Sequence, residues 1–280
     1  MNARLWQRFK GNRLALIGLV LVVALLLFCF VGPLIWRTDQ VHTDIYSGLN
    51  APPGTPGHPL GTDDLGYDVL GRLMKAGQTS LIVGLLAGLL ATVIGTVWGS
   101  VAGYVGGWVG AVMMRVVDAG IALPATFLLL ILSAITRPSL PLMIVVIGLV
   151  SWLVPARLIR AESITLKQRE YVQALRAVGG SHTRAVRRHI IPNTVGTMVV
   201  NVTFQVADAI LLVAYISFLG MGLQAPATDW GAMLTKGITY TYQGAWWLIF
   251  PAGLLIVITV CAFNFVGDGL RDAFDVKGRS

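Results

Sequence analysis

The sequence predicts an all-α polytopic membrane protein with six transmembrane helices and both termini in the cytoplasm. Three observations carry that reading. The 280 residues are 55% hydrophobic and only 12% charged, with a mean hydropathy of +0.74, whereas a soluble domain holds about 25% charged residues. Long charge-free runs separate the charges: Leu14–Trp36, Ala76–Met114, Ala119–Thr136, Pro138–Ala156, Ala209–Thr228 and Gly237–Gly267. The basic residues fall mostly on one side of the spans that those runs define.

About 20 apolar residues cross the ~30 Å hydrocarbon core as a helix, and in lipid the backbone must bond to itself, so each run reads as helix. The spans lie at 14–36, 80–103, 118–136, 140–157, 196–222 and 245–267. The alternating ten-residue segments of a β-barrel do not occur. Span one has a basic front, but its apolar run is longer than the ~7–15 residues of a signal core and no A-x-A site follows, so it reads as a retained span. Its Cys29 and the Cys261 of span six have no disulfide or metal spacing and read as apolar fillers.

Charge orients the spans. Arg4, Arg8, Lys10 and Arg13 precede span one, and Arg115 lies near the turn from span two to span three. Arg157, Arg160, Lys167, Arg169, Arg176, Arg184, Arg187 and Arg188 separate spans four and five, and Arg271, Lys277 and Arg279 end the chain. These are 16 of the 21 basic residues. The other side holds Arg37, Arg72, Lys75, Arg137 and Lys236, with Asp39, Asp44, Asp63, Asp64, Asp68 and Asp229. That is the positive-inside bias of an inner-membrane protein, and it accounts for the net charge of +8 without nucleic acid. One membrane domain, 1–280, follows: a cytoplasmic N-terminus (1–13), an extracytoplasmic loop (37–79), a cytoplasmic loop (158–195) and a cytoplasmic tail (268–280).

The outer loop carries the turn-forming Ala51-Pro52-Pro53-Gly54 and Pro56-Gly57, and Asp64–Met74 is expected to form a short surface helix. In the inner loop Ile159, Ile164, Leu166, Tyr171, Val172, Leu175 and Val178 recur at helical spacing. They predict two amphipathic pieces, 158–168 and 169–178. The pair Gly179-Gly180 ends the second one.

Little in the chain suggests catalysis. A phosphate-binding loop needs G-x-x-x-x-G-K-[ST], and no Gly-Lys dipeptide occurs. Neither H-E-x-x-H nor G-x-S-x-G is present, and His42, His58, His182 and His189 are scattered. No metal site is expected. In span two Gly84, Gly88, Gly95, Gly99, Gly103 and Gly107 recur near every fourth position, the spacing of close helix packing. The same stripe would also suit a helix that slides during gating. Asp208 sits near the middle of span five, where an ionised carboxylate costs roughly 2.5 kcal/mol or more. With Asn201 and Gln205 it shares one helical face, a candidate polar pathway. Arg115 and Asp118, at i and i+3, are expected to pair.

The inner loop also carries a resemblance. Glu170-Tyr-Val-Gln-Ala-Leu-Arg-Ala-Val-Gly179 followed by Arg188-His-Ile-Ile-Pro-Asn193 resembles the EAA loop of ABC importer permeases. Its dipeptide, oligopeptide and nickel branch reads E-Y-V-E-A-A-R-x-x-G…R-H-x-L-P-N. Four other blocks resemble the same branch: Asn12–Gly18, His58–Arg72, Ser217–Gly222 with Trp230-Gly231, and Gly267–Asp272. Together they are similar to the second, C-type permease over about residues 10–275. The sequence departs from the branch pattern at Tyr67, Gln173, Leu175, Val213 and Val276. Val213 stands where many peptide permeases have a membrane Glu, so either Asp208 takes over a polar role nearby or the substrate preference differs.

The resemblance implies the fold of a type I importer transmembrane domain. It implies that Glu170, Gln173, Ala174, Gly179, Arg188, His189 and Pro192 couple the chain to an ATPase. The implied partners are a second, homologous permease, two nucleotide-binding ATPase subunits, an extracytoplasmic substrate-binding protein and membrane lipids. ATP and Mg would be bound by the ATPases, and this chain would bind no cofactor. The implied activity is import of dipeptides or oligopeptides by alternating access. Nickel, glutathione or another small ligand is the alternative cargo. A stand-alone ion-coupled carrier would need more intramembrane charge and usually an inverted repeat, and a membrane enzyme would need a catalytic constellation.

Overall fold

The computed structural model describes residues 3–36, 43–44, 48–135 and 138–274. Arg37, Asp39, His42, Arg137, Val276, Lys277 and Arg279, invoked above, lie outside the described residues, as does the tail from 275.

Helix α1 (Ala3–Gly11) turns at Asn12 into α2 (Arg13–Ile35). Asn12 caps α2 by accepting the amides of Leu14 and Ala15, and its amide group donates to Asp272 near the far end of the chain at 3.1 Å. A wide π turn, Leu27–Val31, precedes Pro33, whose missing N–H would otherwise leave a carbonyl unpaired.

The outer loop leads into α3 (Val69–Val105), capped by Asp68, whose carboxylate accepts the Gly71 amide at 2.8 Å. No separate surface helix covers Asp64–Met74; α3 runs unbroken for 37 residues, roughly 55 Å. The charge that argued against a span at this point is accommodated by its surroundings. Arg72 is buried, donates from Nη1 to the Pro226 carbonyl at 2.9 Å, lies 4.6 Å from the centre of the Tyr67 ring and has Asp63 at 3.8 Å.

Span three, expected at 118–136, begins much earlier. Helix α4 (Gly107–Ala122) bends by 77° at Leu123-Pro124 into α5 (Ala125–Ile135). The 39-residue charge-free run hid a turn at Gly106-Gly107, both at positive φ. Arg115 and Asp118 therefore lie inside a helix, and their expected pairing is not seen. Asp118 accepts Arg157 Nη2 at 2.7 Å instead.

The run expected as span four holds α6 (Leu140–Ser151) and α7 (Leu153–Lys167), bent by 44° at Trp152 ahead of Pro155. The expected separate piece at 158–168 is the continuation of α7, not a helix of its own. Then follow α8 (Glu170–Ala177), α9 (182–193, with a π turn Val186–Ile190 before Pro192), α10 (Val195–Phe218), α11 (Trp230–Thr241) and α12 (Phe250–Phe274). Among the described residues four helices are long and apolar enough to cross a membrane, or six if each bent pair is one span.

Helix α3 is the hub, packed along α7, α10 and α6, while α12 packs on α2 and α10. The glycine stripe makes this possible. A Cβ on Gly84 or Gly88 would lie within 2.5 Å of Ile210 Cγ1 or 2.8 Å of Val206 N, both on α10. A Cβ on Gly95, Gly99 or Gly103 would lie within 2.6, 2.4 or 2.7 Å of atoms of α7. Gly107 belongs to the turn and packs on nothing within 4 Å.

The two ends of the bundle differ in chemistry. One end gathers Phe9 and Ala15 against Ala273, Gly196 against Phe274, and Tyr104 against the 172–190 segment. At the other end Trp230, fully buried, donates from Nε1 to the Leu73 carbonyl at 3.0 Å and from its amide to Ser80 at 3.3 Å. His58 bridges Asp68 and Asp44 at 3.1 and 3.4 Å, and Lys236 pairs with Asp64 at 3.4 Å. Burial pushes the Asp63 carboxyl up, while the Tyr67 and Leu65 amides and Arg72 pull it back.

Asp229 is the most deeply buried acid of this end, with the Ser217 hydroxyl donating to it at 2.7 Å and the Ala232 amide at 3.0 Å. Burial raises its pKa, and those bonds only partly oppose the rise. A raised folded-state value means that folding takes up a proton. Stability is then greatest below the ordinary carboxylate range and is lost as pH rises from about 4 toward the raised value. Asp229→Asn should remove that slope: in thermal unfolding of the purified protein the variant should gain on wild type steadily from pH 4 upward. A difference independent of pH would contradict this.

Candidate functional site

The segment 170–193, expected to lie in the cytoplasm, forms a compact element built from short-range signals. Glu170 stands in the first turn of α8, where a carboxylate meets the helix N-terminus favourably. The helix lasts eight residues and closes in a Schellman-type turn. Gly179 lies at φ +78°, the Val178 amide donates to Ala174 O at 3.2 Å and the Gly180 amide to Leu175 O at 2.9 Å.

Val172 is buried and Leu175 half-buried. Both pack on Tyr104 from the end of α3 and on Ala185, Val186 and Ile190 of α9. Tyr104 was not singled out from the sequence, since it belongs to span two. It meets His182 edge-on with ring centroids 5.6 Å apart, and the Lys167 ammonium lies 5.7 Å from its ring centre. The loop is thus seated on the end of the helix that forms the hub of the bundle.

The predicted coupling residues divide in a consistent way. Glu170, Gln173, Ala174, Gly179, Arg188 and Pro192 are exposed, and His189 is half-buried beside Tyr171, ring centroids 5.9 Å apart. That contact joins the α8 block to the α9 block. Gln173 donates to the Gln168 carbonyl at 3.1 Å, so the departure from Glu at this position ties α8 to the turn before it. Asn193 donates to the His189 carbonyl at 2.6 Å and braces the turn at Pro192.

The apolar stripe read from the sequence is not buried throughout: Tyr171 is 43% and Val178 82% exposed. Gly179 beside them has nothing within 4 Å of where a Cβ would stand. An exposed apolar tip, on a segment that also exposes Arg176, Arg184, Arg187 and Arg188, has the character of a protein-contact surface.

The second candidate site is the polar face of α10. Gln205 and Asp208 line a cleft of about 610 Å³ between α10 and the two bends, with Pro124, Ser151 and Tyr215 among its walls. Asp208 is exposed to it and makes no hydrogen bond or ion pair among the described residues. Asn201 is buried and does not line this cleft, so the expected three-residue row reduces to two. Val213 is fully buried against Val83, Ala87 and Ile147. Its surroundings are apolar, whereas Asp208 lines the cleft. Among the described residues no three His, Cys, Asp or Glu side chains are grouped to hold a metal.

The chain as a whole is similar to known proteins. Residues 95–279 match the family described as the binding-protein-dependent transport system inner membrane component. Residues 3–53 match the N-terminal TM domain of oligopeptide transport permease C. The chain is 43% identical over 279 residues to the oligopeptide transport system permease protein OppC of Salmonella typhimurium, covering 98% of this chain and 92% of that one. It is 37% identical to OppC of Bacillus subtilis, over 98% and 90% of the two chains, and 36% identical to the dipeptide transport system permease protein DppC of the same organism, over 98% and 85%.

Proposed function

The chain belongs to the family of binding-protein-dependent transport system inner membrane components, and we propose that it is the C-type permease subunit of an ATP-driven importer of short peptides. Near-full-length similarity to oligopeptide and dipeptide permeases supports the substrate class. In this reading each bent pair is one span, which makes six, and the 16-to-5 basic asymmetry sets both termini and the loop 158–195 in the cytoplasm.

One observation carries the mechanism: α8 is seated on Tyr104 at the end of α3, while its apolar tip and Gly179 remain open. A nucleotide-binding subunit would grip that tip through Glu170, Gln173, Ala174, Gly179 and the Arg188, His189 and Pro192 turn. ATP-driven closure would then pull α8, and with it α3 and α7. A second permease would complete the pathway, and a binding protein would deliver cargo to the other face. ATP and Mg would bind the ATPases, with no cofactor in this chain.

The test is peptide uptake into proteoliposomes holding the assembled importer. Uptake should require ATP, both permeases and the ATPases; peptide transport by this chain without any ATPase would refute the reading. Gln205 and Asp208 would line the pathway. Asp208→Asn should slow uptake about tenfold, a barrier change of ~1.4 kcal/mol, while the ATPases still co-purify. Wild-type uptake by that variant would make Asp208 structural only.

A further inference from the structure

A second cleft, of about 780 Å³, opens at the end of the bundle that carries Trp230 and Asp229. Lys75, Gln78 and Thr79 of α3 form one wall. Ser139, just before α6, forms another, and Gln224 and Thr228 of the segment after α10 form a third. It lies at the opposite end of α6 from the cleft of Asp208, whose walls include Ser151.

Among the described residues Lys75 is the one ionisable side chain lining this cleft. It is exposed there and belongs to no ion pair among the described residues. The acids around it are engaged elsewhere. Asp63 accepts the amides of Leu65 and Tyr67 and faces Arg72; Asp64 holds Lys236; Asp68 caps α3 and bonds His58; Asp229 holds Ser217. Every other cation described at this end therefore has a carboxylate beside it, and among the described residues the cleft keeps one uncompensated positive charge beside amides and hydroxyls. Gln78 is itself held, donating to the Cys29 carbonyl at 2.8 Å. A cation in a polar recess favours an anionic ligand group, most of all one that it can meet without losing a prior partner.

We infer that this cleft receives the carboxylate of the incoming substrate, with Lys75 as its counter-charge; the assignment rests on the peptide-import reading. A peptide's C-terminal carboxylate and an anionic lipid headgroup offer the same chemistry, and the structure favours the peptide because the recess is lined by groups of three separate chain segments at the end where cargo would be delivered.

The test uses the whole importer in phosphatidylcholine nanodiscs. Lys75 is acetylated with an amine-reactive reagent and read by mass spectrometry, with Lys236, already paired with Asp64, as internal reference. Millimolar tri-alanine should slow modification of Lys75 about fivefold or more, an occupancy worth ~1 kcal/mol, and tri-alanine amide should not. Protection by both peptides or by neither overturns the assignment. So does protection by phosphatidylglycerol in the absence of peptide. ATP-driven tri-alanine uptake is the separate check on import. Uptake without protection overturns the cleft alone, and absence of uptake overturns the peptide reading together with it. In uptake, Lys75→Gln should erase any preference for the free acid over the amide and Lys75→Arg should keep it; the reverse would count against a charge contact.

Discussion

Gly179→Asp combined with Glu170→Lys is expected to abolish ATP-driven uptake, by about 100-fold or more, while the chain still reaches the membrane. The structure supplies reasons for both halves. Gly179 stands at φ +78° with nothing within 4 Å of its missing Cβ. Asp and Asn tolerate left-handed backbone better than other side chains, so the change adds a charge at the open tip at little cost to the turn. Glu170 is exposed and forms no ion pair among the described residues, so reversing it perturbs only the N-terminal turn of α8. Burying unmatched charge in a protein interface costs roughly 2–5 kcal/mol, and 1.4 kcal/mol is tenfold. The loss should therefore appear as failure of the ATPases to co-purify, with unchanged thermal unfolding. Gly179→Asn is the control: it has the same shape without the charge and should retain most uptake. If the double variant keeps its ATPases and imports normally, α8 is not the coupling surface.

The chain's membrane character was legible because lipid imposes simple rules. Charge-free runs located most of α2, α3 and α12, and the glycine stripe announced the α3 seams. The α8 turn was legible for a similar reason, since a Gly pair after an amphipathic stretch acts locally. What could not be read was determined by contacts between distant residues. Arg72 looked like a boundary because its burial depends on Pro226, Tyr67 and Asp63. Arg115 and Asp118 looked like loop charges because the partner of Asp118, Arg157, is 39 residues away. The turn at Gly106-Gly107 lay inside an apolar run and offered no polar marker. At the candidate sites the end of α8 at Gly179-Gly180 followed from its sequence, but the exposure of Tyr171 and Val178 and the seat on Tyr104 did not. The division of Asn201 from Gln205 and Asp208 depended on how α10 lies against α5 and α7.

The largest effect on stability is expected at Gly99. A Cβ there would lie 2.4 Å from the Ala156 carbonyl oxygen, 3.0 Å from the Arg160 amide nitrogen and 3.1 Å from Ile159 Cβ. The first two are backbone atoms of α7, which cannot swing aside as a side chain could. Any substitution must therefore push α7 off α3 as a body, and overpacking of this kind costs roughly 1–3 kcal/mol or more. Because α7 leads within three residues into α8, the displacement would also loosen the seat of α8 on Tyr104. Gly99→Ala should lower the melting temperature of the purified complex by about 5 °C or more and Gly99→Leu by more still, with uptake falling in the same order. Gly253→Ala, whose Cβ would meet only Leu234 Cδ2 at 3.5 Å, should leave both unchanged. The two helices are expected to move as one unit, since α3 contributes no side chain at Gly95, Gly99 and Gly103, where it meets α7. A Gly99→Leu protein that melts and transports like wild type would show that the seam is open in the membrane, and the path from α8 to the bundle core would then have to run through α9 and α10 instead.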